Sequence, residues 1–142
     1  MERMTELERP AQILFLGDGL SDAQALARRF PQIPVCCVAG NCDPYGCEVP
    51  TERTITLGGH VLFMTHGHRY QVKRDILTAT YAAREAGAEV LLYGHTHEAY
   101  CRREQGLWIV NPGSVRDLFR PSYGVILIGE DGSLECAVSP VS

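Results

Sequence analysis

Short apolar runs bounded by glycine, proline or charge recur along the chain. Ile13-Leu14-Phe15-Leu16, Val35-Cys36-Cys37-Val38, Val61-Leu62-Phe63-Met64 and Val90-Leu91-Leu92-Tyr93 each read as a buried strand. Between them the spacing turns helical. Met1, Met4 and Leu7 predict a helix over Met1–Pro10, stopped by Pro10. Ser21 with Gln24 three residues on has the form of a capping box, opening a helix through Phe30 with Ala23, Leu26, Ala27 and Phe30 inward. Strand, helix and strand within about 27 residues predict a right-handed βαβ unit with parallel strands. A third helix is expected from about Val72 to Glu85, with Gly87 as its C-terminal cap.

The remaining runs are strands of hairpin type. Arg53–Leu57 alternates and returns through Gly58-Gly59 into the run at Val61. Glu98–Gln105 reads as strand and turn, Leu107–Val110 as a strand broken by Asn111-Pro112-Gly113-Ser114. Tyr123–Ile128 and Leu134–Val138 pair across Asp131-Gly132. Pro44–Pro50 is a loop. The pattern is that of one α/β domain over residues 1–142, without repeats.

Composition narrows the partners. The 142 residues are 45% hydrophobic and 21% charged, enough apolar material for a core of ordinary density. A formal net charge of -4, with no basic run, argues against nucleic acid. No apolar stretch approaches the ~18–20 residues of a membrane span. The charged start, Met1 to Pro10, lacks the apolar segment of a signal peptide. The six cysteines include no Cys-x-x-Cys pair, which predicts a reduced, cytoplasmic chain without disulfides. Cys42 and Cys47 would make only half of a zinc site.

Candidate chemistry lies just past the strand ends. The four apolar runs are followed by Gly17-Asp18, Gly40-Asn41, Thr65-His66 and Gly94-His95-Thr96-His97. In α/β folds, sites form outside the carboxyl ends of parallel strands. Asp18, Asn41, His66, His95 and His97 would therefore surround one crevice. Carboxylate, amide oxygen and imidazole together suit Mn, Fe, Zn or Ni. Taken singly, each residue has another reading. Asp18 also fits a helix-cap acceptor, Asn41 a turn residue, His66 and His68 a polar loop, and Cys42 a packed thiol.

In this order Gly17-Asp18, Gly40-Asn41-Cys42-Asp43, His66-Gly67-His68 and Gly94-His95-Thr96-His97 resemble the calcineurin-like metallophosphoesterase superfamily. Asn111-Pro112-Gly113-Ser114 and Pro121-Ser122-Tyr123 resemble its small bacterial and archaeal phosphodiesterase branch. The resemblance implies a four-layer α-β-β-α sandwich and a metal-dependent phosphoesterase, a phosphodiesterase first, acting on a small phosphate ester through a metal-activated hydroxide. It also implies that Asp18 bridges two divalent ions, that Asn41, His66 and His95 complete one site, and that His97 serves the other. Asn41, Asp43 and His68 would orient ligands or steady the transition state. Manganese is the first expectation, with Ni, Zn or Fe as alternatives. Arg116 and Arg120 are either phosphate contacts or solvated surface arginines. An oligomer is compatible with the sequence.

The pattern departs from the superfamily in two places. The opening Asp-x-His motif is absent, since the five histidines are His60, His66, His68, His95 and His97. The sequence therefore reads as a domain lacking its N-terminal strand, with two ligands of the second site gone. One well-held ion or none, and reduced stability, are expected. Cys42 stands where many superfamily members carry a histidine, and a thiol with an ordinary pKa of ~8.5 is a poor proton donor near neutrality. The rival implication is a scaffold protein with a vestigial metal site, as in the eukaryotic retromer subunit of this fold.

Overall fold

The computed structural model describes residues 1–44 and 47–141. In chain order the elements are α1 (Glu2–Glu8), β1 (Ile13–Phe15), α2 (Leu20–Arg29), β2 (Val35–Cys37), β3 (Glu52–Leu57), β4 (His60–Thr65), a 3-10 turn (His68–Tyr70), α3 (Leu77–Glu85), β5 (Val90–Leu92), β6 (Tyr100–Glu104), β7 (Leu107–Asn111), β8 (Ser122–Ile128) and β9 (Leu134–Pro140). The loop expected over 44–50 includes residues 45 and 46, which lie outside the described residues.

β3, β4, β5, β7 and β6 form one mixed sheet in that order, with β4, β5 and β7 parallel. Strand alternation gives this sheet two apolar faces. Phe63, Leu91 and Ile109, aligned across the three parallel strands, pack against Ala79 and Ala83 of α3, both fully buried. The alanines let the helix lie close on the sheet. The opposite face carries Leu62, Met64, Val90, Leu92 and Val110. It packs on Val38, Leu14, Cys36, Ile126 and Cys136, which come from the parallel pair β1-β2 and the antiparallel pair β8-β9. α2 covers the far side of β2 through Leu20, Ala23 and Leu26. The result is the expected α-β-β-α layering. Removing one fully buried side chain between the layers, such as Leu91→Ala, costs about 2–5 kcal/mol.

Several local expectations need correction. β1 and β2 are half-buried rather than buried, because each has one strand partner. The third helix begins at Leu77, not Val72. Gln71 takes a left-handed φ of 54°, the Arg74 N–H donates to the Gln71 carbonyl, and the Asp75 carboxylate accepts from the Leu77 N–H. These bonds close a turn over residues 71–75 that the helical spacing concealed. The Ser21/Gln24 capping box does not form either. The N-cap of α2 is Gly19, at φ 114°, two residues before Ser21. Other turns follow the sequence. Gly58 and Gly59 have φ of 54° and 83°, as a type I′ hairpin requires. At the end of α3 the Gly87 N–H reaches the Arg84 carbonyl and the Ala88 N–H the Ala83 carbonyl, a Schellman closure.

Candidate metal centre

The four strand ends belong to two facing sheets, β1 and β2 in one and β4 and β5 in the other. Gly17 and Gly40 let the facing loops touch. A Cβ on Gly17 would stand 2.7 Å from the Gly40 nitrogen and 2.8 Å from His66 Nδ1, and Gly17 also has φ 100°. A Cβ on Gly40 would overlap the Asp18 side chain and its nitrogen. Glycine is the residue that permits both approaches.

His66, at 2% exposure, is the centre of the cluster. Its Nδ1 lies 2.7 Å from the Leu16 carbonyl oxygen, which can only accept, so Nδ1 carries the ring proton of the neutral imidazole. Nε2 then presents a lone pair. Around it stand Asn41 Oδ1 at 3.0 Å, His95 Nδ1 at 3.2 Å and Asp18 Oδ2 at 3.2 Å. Asn41 turns its amide nitrogen toward Cys42 Sγ, leaving the oxygen on this side. The ligand atoms of Asp18, His66 and His95 all lie within 4.8 Å of one another. The Asn41 and Asp18 oxygens thus converge on this lone pair, and His95 Nδ1 joins them or donates to it according to its tautomer. Such a set is relieved by a second proton on an imidazole or by a cation, and the mixed oxygen and nitrogen donors fit a divalent transition metal.

Strain and hydrogen bonds fix these donors. Asp18 and His95 hold left-handed φ values of 58° and 68°, uncommon for side chains with a Cβ. Asp43 anchors the first of them. Its carboxylate accepts from the backbone N–H of Asp18 (2.8 Å), Gly40 (2.7 Å), Gly19 (2.8 Å) and Leu20 (3.0 Å). Burial pushes the Asp43 carboxyl up, but the four N–H donors outweigh it and hold it below the ordinary range. Asp43, not Ser21 or Asp18, therefore satisfies the N-terminus of α2, where its charge also suits the helix dipole. Asp18 Oδ1 accepts from the Cys42 N–H at 2.7 Å.

The loop bearing His95 is held by Asn111, which is fully buried. Its Nδ2 donates to Thr96 Oγ1 (2.9 Å) and the Gly94 carbonyl (3.3 Å), and its Oδ1 accepts from the Gly113 N–H (2.9 Å). The sequence marked Asn111 as a strand breaker. An asparagine at the end of an apolar strand, before Pro-Gly, was the available sign of this brace. The Leu16 carbonyl has no sequence sign, being main chain.

His68 sits beside the cluster, its ring centroid 5.4 Å from that of His66 and 6.2 Å from that of His95. Its Nδ1 is buried without a hydrogen-bond partner. Burial first, then the neighbouring His66, lower the pKa of both His68 and His95. The Cys42 thiol is exposed and pushed up, chiefly by the Asp18 charge. His97 is placed apart. It is exposed, with φ 60°, and lies near Asp117 rather than in the cluster. Arg116 is paired with Asp22. Nothing in the structure assigns Arg120 to the cluster. His60 bridges Glu89 (2.7 Å) and the Gly132 carbonyl (2.9 Å), away from the other four histidines. All cysteines among the described residues are free thiols. No helix among them is long and apolar enough to cross a membrane.

The calcineurin-like phosphoesterase superfamily domain matches residues 1–131. Over 92 residues the chain is 38% identical to the probable metallophosphoesterase YsnB of Bacillus subtilis, covering 64% of this chain and 54% of that relative. The chain thus spans about half the length of that protein. A probable metallophosphoesterase of Methanothermobacter thermautotrophicus is 36% identical over 119 residues, covering 82% of this chain and 68% of its own. Among solved structures, a single mutant of Vps29 from Entamoeba histolytica superposes with a TM-score of 0.71, at 20% identity, over 92% of this chain and 82% of its own. That likeness speaks for the fold.

Proposed function

The chain belongs to the calcineurin-like phosphoesterase superfamily, and from that premise we propose that it hydrolyses small phosphate esters, phosphodiesters first, with a divalent ion held by Asp18, Asn41, His66 and His95. The convergence of Asn41 Oδ1, Asp18 Oδ2 and His95 Nδ1 on His66 Nε2 supports this reading most. Manganese suits the mixed donors, and Zn, Ni and Fe are the alternatives. A divalent ion bound there supplies Lewis-acid polarisation of a phosphoryl oxygen.

The chain's own groups do the remaining work. The Leu16 carbonyl fixes the His66 tautomer so that Nε2 faces inward. Asp43 sets the Asp18 backbone, and Asn111 sets the loop of His95. His68 offers a buried, unpartnered Nδ1 next to the donors, which suits it to hold a proton or orient substrate. His97 lies outside this set, so one ion per chain is the proposed occupancy.

The experiment is hydrolysis of bis-p-nitrophenyl phosphate by the manganese-loaded chain. The wild type is expected to release p-nitrophenol and His66→Ala to lose that activity. A second reading, a protein-interaction module, is favoured by the exposed pair Leu118 and Phe119, 90% and 91% accessible on the loop after Asn111. Metal binding without hydrolysis of any phosphate ester would select it.

A further inference from the structure

The segment from Ser114 to Ser122 is a strap that joins the loops carrying Asp18 and His95. Its neck is closed. The Ser122 N–H donates to the Ser114 carbonyl at 3.1 Å, and the Ser122 hydroxyl to the Pro112 carbonyl at 2.7 Å. Just before the neck, the Gly113 N–H bonds Asn111 Oδ1, and the same side chain holds the Gly94 carbonyl and the Thr96 hydroxyl of the His95 loop. The other attachment is one side chain. Arg116 pairs with Asp22 Oδ2, in the first turn of α2. That oxygen lies 3.4 Å from where a Cβ on Gly19 would stand, and Gly19 directly follows Asp18. The guanidinium thus ends at the loop of Asp18, while the strap is rooted in the loop of His95. The ligand atoms of these two residues lie within 4.8 Å of each other.

This attachment is weak. The side chains of Arg116 and Asp22 are 74% and 34% exposed, and an exposed ion pair adds little stability. The bonds nearer the tip stay inside the strap. Asp117 Oδ1 accepts from the N–H groups of Phe119 (2.8 Å) and Arg120 (2.7 Å), and the Asp117 N–H donates to the Ser114 carbonyl (3.3 Å). Leu118 and Phe119 are left exposed. The other arginine pairs, Arg29 with Glu2 and Glu6, belong to the last turn of α2, away from Asp18. A guanidinium takes a phosphate by two parallel N–H bonds, whereas Arg116 here meets one oxygen of Asp22. We propose that the Arg116–Asp22 pair is a latch opened by an anionic phosphate ester, a role that rests on the phosphoesterase reading. Arg116 exchanges Asp22 for the non-bridging oxygens of the ester, and the strap follows it, carrying Leu118 and Phe119 over the organic group. Arg116 is then a substrate-binding residue and Asp22 its competitor. Phosphate shifts the equilibrium because it bonds Arg116 only when the latch is open.

The test is calorimetric titration of inorganic phosphate into the manganese-loaded chain, which reads binding without turnover. Arg116→Ala is expected to weaken phosphate binding about tenfold, the low end for a hydrogen bond to a charged group. Asp22→Asn, which releases Arg116, is expected to tighten it about two- to fivefold, the range of an exposed ion pair. Damage to the fold would move both variants the same way, whereas the latch moves them oppositely. The double variant separates competition from the plain field of the carboxylate: added to Arg116→Ala, Asp22→Asn should change nothing. Equal tightening by Asp22→Asn in both backgrounds would overturn the latch. A second readout is chymotrypsin cleavage after Phe119, followed by peptide mass. Saturating phosphate is expected to slow it in the wild type and not in Arg116→Ala, and an unchanged rate in the wild type overturns the movement of the strap. Unchanged phosphate binding in Arg116→Ala, with a wild type that hydrolyses bis-p-nitrophenyl phosphate, overturns the latch alone. A wild type that neither hydrolyses that ester nor binds phosphate overturns the phosphoesterase reading and the proposal with it.

Discussion

His66 Nε2 stands 3.0 Å from Asn41 Oδ1 while the same ring gives its Nδ1 proton to the Leu16 carbonyl. Two acceptors this close, with no hydrogen assigned between them, repel unless a cation or a second proton intervenes. Asp18 Oδ2, 3.2 Å from the same nitrogen, repeats the relationship. The fold uses left-handed backbone at Asp18 and His95 to hold the arrangement.

Asp43 is the anchor of this strain. Asp43→Asn keeps the shape but replaces a charged acceptor of four N–H bonds with a neutral amide. Stability at neutral pH is expected to fall by about 2–3 kcal/mol, as for hydrogen bonds to charged groups. The native carboxyl lies below its ordinary pKa. The folded state therefore binds this proton more weakly than the unfolded state does. Its stabilisation is complete above the ordinary value of ~3.9 and fades as pH falls through the depressed native one. Urea unfolding of the two proteins from strongly acid to neutral pH checks this, with the gap closing at the acid end.

Asn111→Ala should act on the loop of His95. It leaves the half-buried Gly113 N–H without this acceptor, while the Gly94 carbonyl keeps the Thr96 N–H, at about 1–3 kcal/mol. Thermal melts give the loss. Calorimetric titration should show weaker manganese binding, by roughly the 10–100-fold typical of groups that orient ligands.

Gly40→Ala places a methyl group onto the Asp18 carboxylate. The Asp18 backbone nitrogen stands equally in the way, so a rotamer change gives no relief. Overpacking of this kind costs about 1–3 kcal/mol. Melting temperature and manganese affinity should fall together, whereas Gly59→Ala, which meets nothing within 4 Å, should cost only its left-handed strain and spare the metal.

Most strands were legible in the sequence as short apolar runs, whereas the four layers came only with the family resemblance; the structure then splits those runs into Phe63, Leu91 and Ile109 on one face and Leu62, Val90 and Val110 on the other. Asp18, Asn41, His66 and His95 were legible as a cluster because each follows a strand end. What stayed hidden was long-range. Asp43 caps a helix that begins 23 residues upstream, and no local pattern encodes that. The turn at Gln71–Asp75 was masked by apolar spacing that a helix shares. His95 and His97 were expected to serve different ions, and the structure brings only His95 to the cluster, leaving His97 exposed.

The central claim is one divalent ion held by the donors around His66. Equilibrium dialysis against manganese, with metal counted per chain in the wild type, His66→Ala and His97→Ala, tests it most directly. One ion in the wild type, none in His66→Ala and one in His97→Ala is the predicted result. No ion in the wild type, two stoichiometric ions, or an ion retained in His66→Ala would contradict it.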